Sequence, residues 1–297
     1  MIATPKRIRP TLIQLTIRFE IFLAFAVLLG AYFIQEIKNQ QIEEITALMQ
    51  VCYVDAGQGS ASVVFSGDMT AVIDCGGTDN PGGKTANCLL KYGREKADYV
   101  ILSHLHSDHV NGITEFLKKI EVDTIYIPYT EGDEEYYEQV LYAAEIYGAK
   151  ISVIKEDTEF ELGNGKITVY TKHLLPGGDQ NDNSLVTVAT CGDMDYMFTG
   201  DMTAAAESRF AAAYPNVTAD VLAVPHHGSA YSSSENFLAS VKPGLSVISV
   251  SATNSYGHPH PDTISRLTAY GKVLTTKDNG NITVTTDGQG YVYVTER

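Results

Sequence analysis

Short apolar runs broken by glycine open the main body of the chain: Val51–Asp55, Ala61–Phe65 and Thr70–Asp74, punctuated by Gly57, Gly59 and Gly67. Runs of this length, bounded by turn residues, predict a strand meander. Lys84–Tyr92 predicts a helix, and Asp98–Ser103, nearly continuous in apolar residues, a buried strand. Helix and strand then alternate. Helices are predicted over Asn111–Lys119, Glu134–Tyr147, Ala204–Ala213, Phe237–Val241 and Thr263–Tyr270. Strands are predicted over Asp123–Ile127, Ile151–Ile154, Ile167–Tyr170, Ser184–Thr190, Tyr196–Phe198, Val221–Val224, Leu245–Val250, Lys272–Thr275, Ile282–Thr285 and Tyr291–Val294. Strand-rich stretches at both ends with helices interleaved imply an α/β domain of two halves, two sheets sandwiched between helices.

The N-terminus has a different pattern. Lys6, Arg7, Arg9 and Arg18 precede the apolar run Ile21–Ile34. That run is shorter than the roughly 20 residues of an ordinary span, but Leu12–Phe19 can extend it. Positive charge before it and none directly after it place the N-terminus in the cytoplasm and the remainder outside. A cleaved signal peptide needs small residues at its processing site, and Leu29-Gly30-Ala31 matches poorly. The expected division is therefore a basic cytoplasmic segment (1–18), a transmembrane signal anchor (19–35), a polar stalk (36–49) and a catalytic domain (50–297) at the cell membrane.

Composition narrows the function only a little. Hydrophobic residues make up 44% of the chain, enough for a large core. The net charge of −15 excludes a protein held to nucleic acid mainly by a basic surface, but not an enzyme that meets a phosphodiester at one local site. Cys52, Cys75, Cys88 and Cys191 form no Cys-x-x-Cys pair, which argues against a zinc ribbon and leaves disulfides or buried thiols open.

The chemistry concentrates in Ser103–Gly112, SHLHSDHVNG, directly after the buried strand. His104 and His106, two residues apart in an extended segment, point the same way, and Asp108 and His109 follow from the next turn. Imidazole and carboxylate are ligands that zinc, manganese and iron accept. The bland reading, a surface histidine cluster, does not explain the preceding strand.

This segment resembles the His-x-His-x-Asp-His signature of the metallo-β-lactamase superfamily. More narrowly, YVDAGQGSASVV (Tyr53–Val64), AVIDCGG (Ala71–Gly77), NDNSLV (Asn181–Val186), FTGD (Phe198–Asp201), VPHHGS (Val224–Ser229) and SYGHP (Ser255–Pro259) resemble the hydrolase domain of ComEC-type DNA-uptake proteins. The resemblance implies an αββα metallo-β-lactamase sandwich preceded by the membrane helix, with two divalent metal ions, zinc or manganese. It implies that His104 and His106 hold one ion, that Asp108 and His109 hold the other, and that Asp201 bridges them. A helix N-cap is the plain alternative for Asp201. His227 is the expected ligand of the neighbouring pair and His226 its substrate-facing partner. Asp74 is expected to support the metal loop by hydrogen bonding, outside the ligand shell. His258 is expected at the mouth, as a proton donor or phosphate contact, or else as a surface-loop histidine. Asp108, His226 and His258 make up the expected catalytic set.

One departure stands out. Many superfamily members place a metal-binding histidine just before the strand that here begins at Ser184, where this chain has Gln180-Asn181-Asp182-Asn183. His173, Asn181 and Asp182 are the possible substitutes. The reaction implied is attack of a metal-bridging hydroxide on an ester, with a phosphodiester, possibly single-stranded DNA, as the leading substrate. The alternatives are a surface phosphorylcholine or small-ester hydrolase, whose choline would need an aromatic cage, and a catalytically silent anchored binding module. A chain with one candidate span cannot itself form a DNA channel.

Overall fold

A computed structural model describes residues 47–129 and 136–297, together with positions 27, 29 and 30. Nearly all of the expected membrane segment and of the expected stalk lies outside the described residues. Among those described, no helix is long and apolar enough to cross a membrane. Ala47–Arg297 is one compact unit, and its first strand starts at Met49, a residue expected in the stalk.

The first sheet contains β1 (Met49–Tyr53), β2 (Ala61–Ser66), β3 (Met69–Cys75), β4 (Lys96–Ile101), β5 (Glu121–Pro128), β6 (Lys150–Ile154), β14 (Ile282–Thr286) and β15 (Tyr291–Thr295), in the order β15-β14-β1-β2-β3-β4-β5-β6. The second contains β7 (Thr158–Leu162), β8 (Gly165–Tyr170), β9 (Val186–Cys191), β10 (Met194–Phe198), β11 (Val221–Ala223), β12 (Leu245–Ile248) and β13 (Lys272–Thr275), in the order β13-β12-β11-β10-β9-β8-β7. Each sheet is antiparallel in its hairpins and parallel where helices return the chain, from β3 to β6 and from β10 to β13.

The strand period sorts the core into layers. On β1, Val51 and Tyr53 point between the sheets with Val64, Ala71, Ile73 and Ile101, to meet Tyr196, Phe198, Val221 and Leu245 from the second sheet. Cys52 points the other way with Val63, Val72 and Val100, under α1 (Pro81–Lys91), α3 (Ile113–Leu117) and α4 (Tyr137–Tyr147). The outer face of the second sheet is covered by α5 (Ala204–Ala213), α6 (Glu235–Val241) and α7 (Pro261–Thr268), through Phe210, Phe237 and Leu267. The result is four layers, αββα.

The elements depart from the prediction in a few places. The helix expected over Asn111–Lys119 is the shorter α3, and a separate short helix, α2 (Ser107–Val110), precedes it. Helix α2 starts within the histidine motif, so Asp108 and His109 are helical. Thr158–Leu162 escapes the sequence reading because Glu159 and Glu161 alternate with its apolar residues. β7 is the edge strand of its sheet, where charge is tolerated and discourages pairing with other chains. One further helix, α8 (Thr276–Asn279), is too short to leave a periodic signal.

Candidate metal centre

The site forms where parallel strands of both sheets end, the usual place for function in such sheets. β3 delivers Asp74, β4 runs through Leu102 into the Ser103–His109 turn, β10 leads to Asp201, and β11 leads into the 3-10 turn Pro225–Gly228. Close backbone approach is essential here. A Cβ on Gly76 would lie 2.3 Å from the Asp108 carbonyl carbon, and one on Gly200 (φ 53°) would lie 2.7 Å from Ser184 Oγ. These contacts are a physical reason for glycine within the AVIDCGG and FTGD segments.

Asp74 is buried and accepts three hydrogen bonds: Ser103 N to Oδ1 (2.7 Å), and Ser103 Oγ (2.9 Å) and His109 Nδ1 (2.7 Å) to Oδ2. The third places a hydrogen on His109 Nδ1, so that in the neutral ring Nε2 is the free, inward-facing nitrogen. His227 follows the same rule: Nδ1 donates to Ser249 O at 2.9 Å, and Nε2, the nitrogen a neutral ring would offer, faces Asp108 Oδ2 at 3.2 Å. The Ser103 hydroxyl spends its only hydrogen on Asp74, so His104 Nδ1, 3.1 Å away, must donate to it. Three imidazoles thus carry a hydrogen on the outward nitrogen and, when neutral, present the inward one as a ligand.

Donor atoms of Asp108, His109, Asp201 and His227 all lie within 4.8 Å of one another. His227 Nε2 is 3.2 Å from Asp108 Oδ2 and 3.6 Å from Asp201 Oδ1. Beside this group, His104 Nε2 and His106 Nδ1 converge at 3.1 Å, and the His104 ring lies 4.2 Å from that of His109. A divalent ion fits this set on a direct observation. His109 Nε2 and Asp201 Oδ1 face each other at 3.0 Å, both buried, and neither forms a hydrogen bond. Buried polar atoms left this way are costly unless something else satisfies them.

Electrostatics agree. Asp74 and Asp201 are buried and Asp108 half-buried, so the pocket concentrates negative charge. Burial acts to raise Asp201, but the charges of His109 and His227 overcome it and hold the carboxyl well below its usual range. Burial acts to lower His109, yet Asp201 and Asp74 raise it well above an ordinary histidine, and His227 is raised in the same way by Asp201 and Asp108. Without a metal, protons on these rings supply the positive charge the pocket demands. His104, buried and beside the His109 charge, is held well below the usual value.

The turn at His226 and His227 puts two consecutive residues at left-handed φ, 52° and 53°. His226 N donates to Gly200 O, tying this turn to the Asp201 segment. The strained pair sends the two rings apart. His227 enters the four-residue group, while the quarter-exposed His226 reaches the mouth, its Nε2 3.7 Å from Asp201 Oδ2. His258 lies beside it, ring centroids 5.8 Å apart, and Asn254 holds its backbone.

The substitutes considered for the missing histidine separate clearly. His173 is buried against Phe210, and its Nε2 donates to Ser184 O, so it is not among the converging donors; burial pushes it down to about 4. Asp182 is engaged by Thr203 and Arg209 instead. Both make structural bonds instead, because Arg209 pins the 173–183 loop through His173 O and Asp182 O. Asn181 Oδ1 remains buried without a partner, and so does Gln180 Oε1, which lines a small cavity with His104. Sequence reasoning missed Ser103 and Ser184. Ser184 Oγ accepts from Asp201 N at 3.0 Å and lies 3.4 Å from His104 Nδ1. Both serines stood inside quoted motifs; Ser103 is next to His104 in the chain, whereas Ser184 meets Asp201 only through the fold.

Comparisons with known proteins follow the same lines. Residues 54–252 match the family model described as the metallo-beta-lactamase superfamily. ComE operon protein 3 of Bacillus subtilis is 30% identical over 251 residues, covering 78% of this chain and 32% of that protein. Competence protein ComA of Neisseria gonorrhoeae is 30% identical, covering 86% of this chain and 34% of its own. The chain thus spans about a third of the length of these curated relatives. Among solved structures, the metallo-beta-lactamase fold protein YhfI from Bacillus subtilis superposes with a TM-score of 0.55 at 18% identity, over 80% of this chain and 99% of that one. CmlA, a diiron β-hydroxylase from Streptomyces venezuelae, gives 0.53 at 13% identity, over 81% and 54%; both likenesses concern the fold alone. With its four layers, its motif order and this match over most of its length, the chain belongs to the metallo-beta-lactamase superfamily.

Proposed function

We propose that the domain is a metal-dependent phosphodiesterase that cleaves nucleic-acid strands, held outside the membrane by the N-terminal segment. The observation that carries the metal-dependent hydrolase reading is the convergence of Asp108, His109, Asp201 and His227 within 4.8 Å, with the Nε2 atoms of both histidines turned inward. Similarity to competence proteins supports nucleic acid over other esters. Divalent ions in such a site make water nucleophilic at neutral pH and offset charge on phosphoryl oxygens.

The chain's own residues do the rest. Asp201, His109, Asp108 and His227 would hold one ion, and His104 and His106 a second, with Asp201 between them. Asp74 and Ser249 O orient the histidines. His226 and His258 face the mouth, and burial lowers both, His258 to about 4. Each is therefore neutral at pH 7, with one ring hydrogen to offer a phosphoryl oxygen. A bound phosphodiester anion raises both, so that a ring can take up a proton from solvent and then deliver it to the leaving oxygen.

The test is metal content with hydrolysis of bis-p-nitrophenyl phosphate and single-stranded DNA by the full chain, supplied with zinc or manganese. The expected result is bound metal and cleavage that falls at least about 100-fold in Asp201→Ala. Full activity in that variant would falsify the reading. Bound metal with cleavage of phosphorylcholine esters alone would replace it with the surface-esterase reading. No metal under either supply would favour a silent binding module.

A further inference from the structure

Beside Asp108 lies a groove of about 420 Å³, lined among others by Gln58, Thr78, Ser107, Ser251, Asn254 and Tyr256. Its volume falls within the range of small-ligand sites. Apart from Asp108 and the phenol of Tyr256, its lining is of hydroxyls, amides and backbone; no lysine or arginine contributes among the described residues. A groove of that character does not pair with a phosphate. It suits the neutral part of a substrate whose charged group sits at the metal centre next door.

One wall is aromatic. Tyr256 is 70% exposed. The ring stacks on His258, centroids 5.7 Å apart and planes at 26°, which leaves the other face open. Asn254 accepts from Tyr256 N and His258 N through Oδ1 and donates to Ser251 O and His258 O through Nδ2. Gln58 accepts from Ser251 N across the groove, joining the two walls. The tyrosine is thus held in place before any substrate arrives, which reduces the ordering cost of binding.

We propose that this groove seats the nucleoside next to the scissile phosphate of a single-stranded nucleic acid, its base stacked on Tyr256. The inference rests on the phosphodiesterase reading and adds a specificity residue to it. Hydroxyls and amides of the groove meet the sugar and base edge, and the tyrosine face accepts any base, because every base presents a π-face. A base already inside a duplex is stacked on its neighbours and is not available to the ring, so single strands are preferred.

The experiment compares wild type, Tyr256→Ala and Tyr256→Trp on two substrates, a short oligothymidylate and glycerophosphoglycerol, a diester with no aromatic ring to stack. Binding of a cleavage-resistant phosphorothioate oligothymidylate to the metal-loaded protein is also followed by fluorescence anisotropy. The expected result is an oligonucleotide KM and dissociation constant raised about 5- to 100-fold in Tyr256→Ala. Both values stay near wild type in Tyr256→Trp, and glycerophosphoglycerol kinetics stay within twofold in both variants. Unchanged oligonucleotide affinity in Tyr256→Ala overturns the inference and leaves the phosphodiesterase reading standing. So does a KM increase confined to a phosphorylcholine ester, which would make the ring a cation site. Loss of both substrates by metal-loaded wild type overturns the reading and the inference together.

Discussion

Replacing Asp74 by asparagine tests the most specific claim about the metal centre, that one buried carboxylate sets the tautomers of its histidines. The change is isosteric, and Oδ1 keeps its bond from Ser103 N. The second oxygen becomes an NH₂ group facing two donors, His109 Nδ1–H at 2.7 Å and Ser103 Oγ–H at 2.9 Å. Both must reverse. His109 can accept from the new amide only by moving its hydrogen to Nε2, the nitrogen 3.0 Å from Asp201 Oδ1. That hydrogen then occupies the position a metal needs. Loss of an orienting partner of this kind costs about 10- to 100-fold in metal affinity, or about 1.4–2.7 kcal/mol. Two charge-assisted bonds are also lost from a buried site, so the metal-free protein loses about 1.5–3 kcal/mol of stability. Zinc competition with a chromophoric chelator measures the first effect, urea unfolding the second, and nitrogen chemical shifts of the histidine rings report the tautomer. Wild-type zinc affinity with the hydrogen still on His109 Nδ1 would refute the argument.

Other outcomes follow from the same geometry. His109 and His227 are raised by their carboxylate neighbours, so the metal-free site holds protons that a metal must expel. Apparent affinity is therefore expected to rise with pH, roughly tenfold per unit for each proton released, and to level off once pH passes the raised values of the two rings. Calorimetry in buffers of different ionisation enthalpy counts those protons, and none released would be the contrary result. In the metal-free fold the sign is opposite: their stabilisation is complete below the unfolded histidine pKa and is lost as pH rises through the raised folded values. Phe210 is fully buried among Tyr170, Tyr214, His173 and Phe237, so Phe210→Ala is expected to cost about 3–5 kcal/mol in chemical denaturation. Arg209→Ala unties His173 O and Asp182 and is expected to cost about 1–3 kcal/mol and to speed proteolysis of the 173–183 loop; an unchanged cleavage rate would show that the loop is held some other way.

Much of the molecule was legible from its residues. Strand and helix periodicity located most elements to within a few residues, because each strand shows one face to the inter-sheet core and the other to a helix layer. The histidine motif announced its chemistry because its donors are near neighbours in sequence. Less legible were donors that meet through the fold. The choice between His226 and His227 turned on two left-handed residues that send one ring inward and one outward. Local pattern does not encode that choice, since either residue order is compatible with a turn.

The sequence by itself determined the two-sheet α/β architecture, the motif that binds chemistry to the end of β4, and the family, because these depend on local periodicity and on residues adjacent in the chain. Only the tertiary structure decided which donors share one pocket, which candidates are diverted to structural bonds, and which nitrogens face inward. Asp74, His109 and Asp201 stand far apart in sequence and touch because parallel strands from two sheets end at the same edge. His173 and Asp182 stand near the site in sequence and are removed from it by Arg209 and Ser184. Tautomer and protonation follow from such long-range contacts, and no stretch of sequence contains them.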